Sequence, residues 1–539
     1  MVVALAAAAF VVYELGAPGR AQRHLLETYA SDWRRGDFRD MYARLTPASR
    51  RRISEAKFQS ALERDADTAT ETSIRSTRLV SVTGEAARFD FVVETRTFGA
   101  LHEVLRLPLE GSGGGTRIQF APEILFPGLR SDEKLKRDAR LGPRGTILAA
   151  DGTPLAAGPS RSSPIPSVAS AIVGTLGPIP SDQRAAYAAE GYPANARVGQ
   201  DGLELIFQKL LAGRPGGRLI AGRRVLASRA PSHGRTVRTT IVPKLEQAAI
   251  NAIGTSYAGL TVLNRSGGIE AAAGIAFTDV QPPGSTMKIV TATAALQAGI
   301  VKLTTEFPYQ SSVTLDGFTM QNAAGETCGG SLLNAFATSC DTVFAPVGAQ
   351  LGARRLVSMA QRFGFDKPTG IPTAIESTIP SVATIGDALA VGASAIGQGR
   401  VEASTLELAD MGATIADGGR RPLPSMMAGA KPRYVRVTSP KVAHEVQQMM
   451  EAVVSFGTGT TAQIPGITVA GKTGTAELGN TANQANNKKL TDSWFVGYAA
   501  GGSLPGSAKL VAAALFPGSG YGADVAAPAV KQVLEAALG

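Results

Sequence analysis

Hydrophobic positions along this chain change their period several times, and each change predicts a different element. Leu25, Leu26, Tyr29 and Trp33 fall at helical spacing, and so do apolar positions within 41–45. Alternation of period two then takes over and predicts strands at 76–82, 87–93, 102–109 and 117–120. A glycine-rich turn separates the last two. Helices followed by a curled antiparallel sheet make a cone-shaped α+β unit over 21–126, with Trp33 as a core residue.

Short apolar runs on either side of Asp151-Gly152 predict a hairpin. Pro and Ser crowd 157–168 into a loop. Gly202-Leu203-Glu204-Leu205-Ile206-Phe207 reads as a short helix, and Gly213-Arg214-Pro215-Gly216-Gly217 as its exit. This β-rich stretch, 127–234, is expected to be a pedestal.

From 235 to 539 the pattern predicts a helix at 243–253 and a hairpin of 259–264 with 269–273 around Arg265-Ser266-Gly267-Gly268. A helix from Ser285 to about Leu296 and a helix-rich middle to about Gly419 follow. Strands return at 467–470, 494–499 and 510–515, and a last helix occupies 527–538. Strands at both ends and helices between them place an antiparallel sheet beside a helical subdomain.

The apolar run from Met1 to Tyr13 is shorter than the ~20 residues that span a bilayer. It also lacks preceding basic residues. A truncated membrane anchor, a weak signal sequence and a buried helix all fit. The polar, Arg-containing sequence from Arg20 favours the anchor, at 1–20, with the remainder outside the cell.

The chain has 539 residues, 44% of them hydrophobic, which suits two to four folded domains. A net charge of +10 would fit a nucleic acid or an anionic surface. The basic residues are scattered and aromatics make up only 6%, so no nucleic-acid stripe forms. Two cysteines and four dispersed histidines give no metal-ligand cluster, and no metal or cofactor is expected.

Candidate chemistry centres on Pro282-Pro283-Gly284-Ser285-Thr286-Met287-Lys288. A serine and a lysine three apart meet on one helix face, and an amine can replace histidine as the base. The spacing also occurs at Ser54/Lys57 and Ser131/Lys134, but in charged surroundings that read as solvated faces. Only Ser285 follows Pro-Pro-Gly and opens an apolar helix, whose free N–H groups suit a developing oxyanion. Ser339-Cys340-Asp341 and Lys472-Thr473-Gly474-Thr475 complete an ordered set. Thr473 and Thr475 share one strand face, and Gly474 leaves room for another backbone. No Gly-x-Ser-x-Gly elbow surrounds Ser285, which argues against a Ser-His-Asp hydrolase.

This set resembles that of class B penicillin-binding proteins, the monofunctional D,D-transpeptidases. Further likenesses are Arg144-Gly145-Thr146-Ile147, Gly202-Leu203-Glu204 and Gly397-Gln398-Gly399 with Glu402-Ala403-Ser404. Residues 21–126, ending near Pro122-Glu123-Ile124-Leu125-Phe126-Pro127, resemble the nuclear-transport-factor-like domain of the methicillin-resistance branch. The implied fold is α+β multidomain, with a C-terminal serine β-lactamase/transpeptidase-like domain.

The resemblance implies residue roles as well. Ser285 attacks a stem-peptide D-alanyl-D-alanine, Lys288 is its base, and Ser339 relays a proton to the leaving group. Lys472, Thr473, Gly474 and Thr475 hold the terminal carboxylate, and the N–H groups of Ser285 and Thr475 form the oxyanion hole. Peptidoglycan stem peptides, β-lactams and a membrane glycosyltransferase are the implied partners.

The family usually has asparagine where this chain has Asp341. An ionised carboxylate cannot donate to the acyl carbonyl. It would pair with Lys288 or Lys472 and weaken the lysine as a base; a protonated Asp341 restores a donor. A β-lactamase is one alternative, although no glutamate can be assigned to activate its water. A β-lactam sensor or weakly catalytic scaffold is another, and Asp341 is its best support. Cys328 and Cys340 can close a disulfide outside the cytoplasm, or remain two buried thiols; the sequence leaves both open.

Overall fold

The computed structural model describes residues 19–477, 491–500 and 510–539. All but the last two residues of the expected anchor lie outside them. Among the described residues no helix is long and apolar enough to cross a membrane. The chain divides into two compact units.

The first unit contains the chain up to Gly145, Leu176–Val198 and Lys209–Arg235. Helix α1 (Arg20–Arg35) buries Leu26, Tyr29, Ala30 and Trp33 and stops at Gly36, whose φ of 73° admits the left-handed turn. Helix α2 (Glu55–Ala69) is capped by Ser54, whose Oγ accepts from Lys57 N. Strands β1 (Glu71–Val82), β2 (Ala86–Thr95), β3 (Gly99–Glu110) and β4 (Arg117–Ile118) then form an antiparallel sheet in chain order. Ala87, Phe89, Phe91 and Val93 alternate inward along β2, and Trp33 stacks at 5.4 Å on Phe91. Strand β5 (Leu135–Arg140) pairs with β6 (Gly216–Ala221), which pairs with β7 (Arg224–Arg229); Leu219 and Ala221 of β6 join the same core.

The second unit contains Thr146–Thr175, Gly199–Gln208 and Thr236–Gly539. The 127–234 stretch, read from sequence as one pedestal, is therefore shared between the two units. Its Asp151-Gly152 turn is present: Ile147–Leu148 pairs with Pro154–Ala156, and Asp151 Oδ1 accepts from Thr153 N at 2.8 Å.

Helix α3 (Pro243–Ile253) precedes strands β8 (Gly259–Asn264) and β9 (Ile269–Gly274). After a long helical excursion come β10 (Val469–Glu477), β11 (Thr491–Ala499), β12 (Leu510–Phe516) and a closing helix, Ala526–Leu538. The five strands order as β9-β8-β12-β11-β10, all antiparallel. One face packs on α3 and the closing helix through Leu245, Ile253, Val530 and Leu534. The other face packs on Thr405–Ala416, a helix with every residue buried. A Cβ at Gly412 of that helix would stand 2.7 Å from Val496 and Val511, so the close approach needs glycine. Both sheet faces are covered, and β12 reads accordingly as an unbroken apolar run, Leu-Val-Ala-Ala-Ala-Leu-Phe.

The middle is not purely helical. Glu306–Gln310 pairs with Cys328–Ser331, and Ser312–Leu315 forms a hairpin with Phe318–Gln321. These strands are short, and all but Cys328–Ser331 are exposed or half-buried, so they leave little periodic apolar signal.

Glu246 on α3 is buried, and its Oε2 accepts from Ala272 N at 2.7 Å. Burial pushes its carboxyl up from 4.5 to about 7. The folded chain thus keeps a proton that the unfolded chain releases, and this group lowers stability as pH rises from about 4.5 to about 7. Glu246→Gln should flatten that loss by up to ~3 kcal/mol. Denaturant melts of both proteins near pH 5 and pH 8 measure it, and equal losses in the two would refute it.

Candidate active site

Ser285 does not begin an α-helix. Gly284, at φ 51°, opens a 3-10 turn, Gly284–Met287, and α4 (Lys288–Gln297) follows. Side chains three apart eclipse in a 3-10 turn. This stacks Lys288 over Ser285 and puts Nζ 2.8 Å from Oγ. The turn is held from several sides. Gly284 N donates to Gly397 O at 2.9 Å, Trp494 Nε1 to Pro282 O at 2.8 Å, and Thr286 Oγ1 to Pro283 O at 2.8 Å.

Helix α5 (Leu332–Ala337) supplies the second part. It ends at Thr338, and Ser339 takes a left-handed φ of 61°. A non-glycine residue there costs about 1–3 kcal/mol of strain. Cys340 then caps α6 (Asp341–Leu351), with Asp341 at its first position. The tight link aims Ser339 and Asp341 at Lys288. Lys288 Nζ donates to Ser339 O at 2.6 Å and lies 3.2 Å from Ser339 Oγ and 2.7 Å from Asp341 Oδ1. Between them, Cys340 is bonded to Cys328 with sulfurs 2.03 Å apart.

Strand β10, at the sheet edge among the described residues, supplies the third part. Lys472 Nζ donates to Ser339 Oγ at 2.9 Å and to Thr473 O at 3.0 Å. Thr473 Oγ1 lies 2.5 Å from Thr458 Oγ1, and Thr475 Oγ1 accepts from Gly522 N at 3.3 Å. Gly474 admits another backbone, as its lack of a side chain suggests, and the structure identifies which. A Cβ there would stand 2.7 Å from Pro283 O and 2.8 Å from Thr286 Cγ2. The backbone that approaches Gly474 is the Ser285 turn itself.

Both lysines are fully buried. Burial pulls the Lys288 ammonium below its usual range, and the Asp341 carboxylate opposes this. Lys472 is pulled down further, by burial and by Lys288, with Asp341 again opposing. Both shifts favour a neutral amine that can take a proton.

A cleft of about 400 Å³ opens over the serine. Ser285, Ser339, Asp341, Thr473 and Thr475 line it, so the three sequence motifs meet in one place. Gln398, Thr458, Glu326 and Glu477 line it too. None was singled out as a site residue, although Gln398 stood in a motif already noted and Thr458 in the Gly/Thr run before β10. The other two Ser-x-x-Lys pairs are elsewhere: Ser54 caps α2, and Ser131 Oγ donates to Glu123 Oε2 at 2.8 Å.

Fold and site together define a protein with a serine and a buried lysine in hydrogen-bond contact at the foot of a cleft. Residues 256–535 match the family model of the penicillin binding protein transpeptidase domain. Residues 150–239 match the penicillin-binding protein dimerisation domain, and residues 21–133 the NTF2-like N-terminal transpeptidase domain. The chain belongs to the penicillin-binding protein transpeptidase family.

It is 34% identical over 287 residues to peptidoglycan D,D-transpeptidase PbpA of Mycobacterium tuberculosis, a match covering 49% of this chain and 56% of that protein. It is 30% identical over 254 residues to MrdA of Acinetobacter baumannii, a peptidoglycan D,D-transpeptidase, covering 41% of this chain and 37% of that one. The chain thus spans about half the length, or less, of these curated relatives. Among solved structures it resembles the penicillin G acyl-enzyme complex of penicillin-binding protein A from M. tuberculosis. The TM-score is 0.58 at 26% identity, over 74% of this chain and 100% of that one. The D,D-transpeptidase domain of a peptidoglycan glycosyltransferase from Eggerthella lenta gives a TM-score of 0.58 at 26% identity, over 73% and 98%.

The disulfide closes a separation of 12 residues, and a loop of that size is worth about 3 kcal/mol. Replacing both cysteines by serine should lower the melting temperature of the second unit, and a reductant should reproduce the effect on the wild type. Unchanged melting in both experiments would show that the bond contributes nothing.

Proposed function

We propose that this chain is a peptidoglycan D,D-transpeptidase that works through a Ser285 acyl-enzyme. The observation that carries the reading is the 2.8 Å contact of the buried Lys288 amine with Ser285 Oγ at the base of the cleft. Neutral Lys288 takes the hydroxyl proton as Ser285 Oγ bonds to the carbonyl carbon of the penultimate D-alanine. The N–H groups of Ser285 and Thr475 hold the oxyanion. Ser339, between the two amines, passes a proton to the nitrogen of the departing D-alanine. The C–N bond then breaks and leaves an ester on Ser285. The amine of a second stem peptide attacks that ester, gives up its proton and frees Ser285, forming the cross-link.

Strand β10, last in its sheet among the described residues, suits a donor peptide added as a further strand, with its terminal carboxylate on Thr473 and Thr475 and Lys472 behind them. A β-lactam presents the same carbonyl and carboxylate and acylates Ser285.

The domain plan that accompanies this function is an anchor at 1–20, a nuclear-transport-factor-like domain at 21–126, a pedestal at 127–234 and the transpeptidase domain at 235–539. A catalytic domain outside the cell membrane fits the Cys328–Cys340 bond, since disulfides persist in oxidising compartments; a membrane glycosyltransferase is the partner this reading implies.

Labelling with a fluorescent penicillin tests the reading. Wild type should be labelled covalently, and Ser285→Ala not at all. Lys288→Ala should label at least ~100-fold more slowly, the usual scale for losing a general base. The label should persist for hours. Its rapid loss would favour a β-lactamase, and label equal in Ser285→Ala would refute the acyl-enzyme.

A further inference from the structure

The site buries two lysines, and among the described residues one carboxylate, Asp341, lies within bonding distance of either. Hydrogen counting separates the two amines. Lys288 Nζ has three acceptors within 2.8 Å, Ser285 Oγ at 2.8 Å, Ser339 O at 2.6 Å and Asp341 Oδ1 at 2.7 Å, and a fourth, Ser339 Oγ, at 3.2 Å. The three shortest suffice to engage the three N–H groups of an ammonium. Lys472 Nζ has two partners, Ser339 Oγ at 2.9 Å and Thr473 O at 3.0 Å, and no carboxylate beside it. Two partners suit a neutral amine. Aromatic faces do not distinguish the pair, since Phe344 lies 5.8 Å from Lys288 Nζ and Phe336 5.6 Å from Lys472 Nζ.

We propose that Asp341 fixes the resting positive charge of the site on Lys288 rather than on Lys472. Ser285 then becomes reactive only after the Lys288–Asp341 pair has lost a proton. This rests on the acyl-enzyme reading given above and makes Asp341 a positioning residue that sets the pH range of acylation.

The proton balance is simple. The Lys288 ammonium gives one proton to solvent and keeps two N–H groups, which remain on Ser339 O and Asp341 Oδ1. The freed lone pair faces Ser285 and accepts its hydroxyl proton as the ester bond forms. Asp341 therefore has two opposed effects. It aims the lone pair at the serine, and it favours the state in which that lone pair is filled.

The electrostatic trend agrees. Asp341 opposes the effect of burial on both lysines, but on Lys288 it does so by direct contact, whereas Lys472 is also driven down by Lys288. Among the described residues no other charge competes at close range. Helices α5 and Ala388–Ala395 carry none, and α6 carries only Asp341. Arg354, Arg355 and Arg362 of Ala353–Phe363, and Lys441 and His444 of Pro440–Ser455, are exposed; Glu445 and Glu451 are half-exposed. Glu326, Glu477 and Asp524 line the cleft above, whereas Lys288 is wholly buried beneath it.

The experiment follows the initial rate of fluorescent-penicillin acylation from about pH 6 to pH 9 in wild type, Asp341→Asn and Ser285→Ala. The wild-type rate should rise with pH. In Asp341→Asn the rising limb should move at least about one unit lower, giving roughly tenfold faster labelling at the foot of the wild-type limb. Superimposed limbs, or an asparagine variant slower at every pH, would overturn the proposal. Should the variant fail to fold, the wild type decides alone, because a flat profile over that range contradicts a base held charged. Absence of Ser285-dependent label from both proteins would instead remove the acyl-enzyme reading itself.

Discussion

Two amines held out of water against one hydroxyl are the constraint on which this active site depends. Lys288 and Lys472 are both fully buried, and Ser339 Oγ lies 3.2 Å from one and 2.9 Å from the other. Removing an ammonium from water costs several kcal/mol unless it is paired or loses its proton. The fold supplies both remedies unevenly, giving a carboxylate to Lys288 and only neutral oxygens to Lys472. Chemistry at Ser285 follows from this unevenness, since a serine hydroxyl needs a nearby base with an unprotonated lone pair.

Geometry of this kind cannot come from one segment. Ser285 and Lys288 come from the 3-10 turn, Ser339 and Asp341 from the α5–α6 link, and Lys472 from the edge strand. Backbone contacts between these parts are close. Gly284 and Gly474 lie against each other's strand or turn, with hypothetical Cβ atoms at 2.6 Å from Thr475 O and 2.7 Å from Pro283 O respectively. Any side chain at either position would separate the turn from the strand and lengthen the amine-to-hydroxyl distances together. Strain at Ser339 belongs to the same design, because its left-handed backbone turns its carbonyl onto Lys288.

Much of this was legible in the sequence, for identifiable reasons. The helical spacing of α3 and the unbroken apolar run of β12 announce those elements because burial leaves its pattern on the sequence. The three motifs were legible as an ordered set, and the cleft brings Ser285, Ser339 and Thr473 together. What was not legible depends on tertiary contact. Nothing local distinguishes a 3-10 turn from the first turn of a helix at Ser285. The purpose of Gly474 depends on a turn nearly 200 residues earlier in the chain. The pairing of Cys328 with Cys340 was open because closure needs both cysteines brought face to face. Short exposed strands such as Ser312–Leu315 bury too little to leave a signature.

Asp341 shows how a single substitution of oxygen for an amide nitrogen reaches through the whole site. A neutral amide at that position could accept from Lys288 through its oxygen and would add no charge. The carboxylate makes the same contact and, among the described residues, brings a counter-charge to Lys288 alone of the two buried lysines. Ion pair and burial therefore act in opposite directions on one proton, that of Lys288. The position of that proton determines whether Ser285 meets an amine or an ammonium.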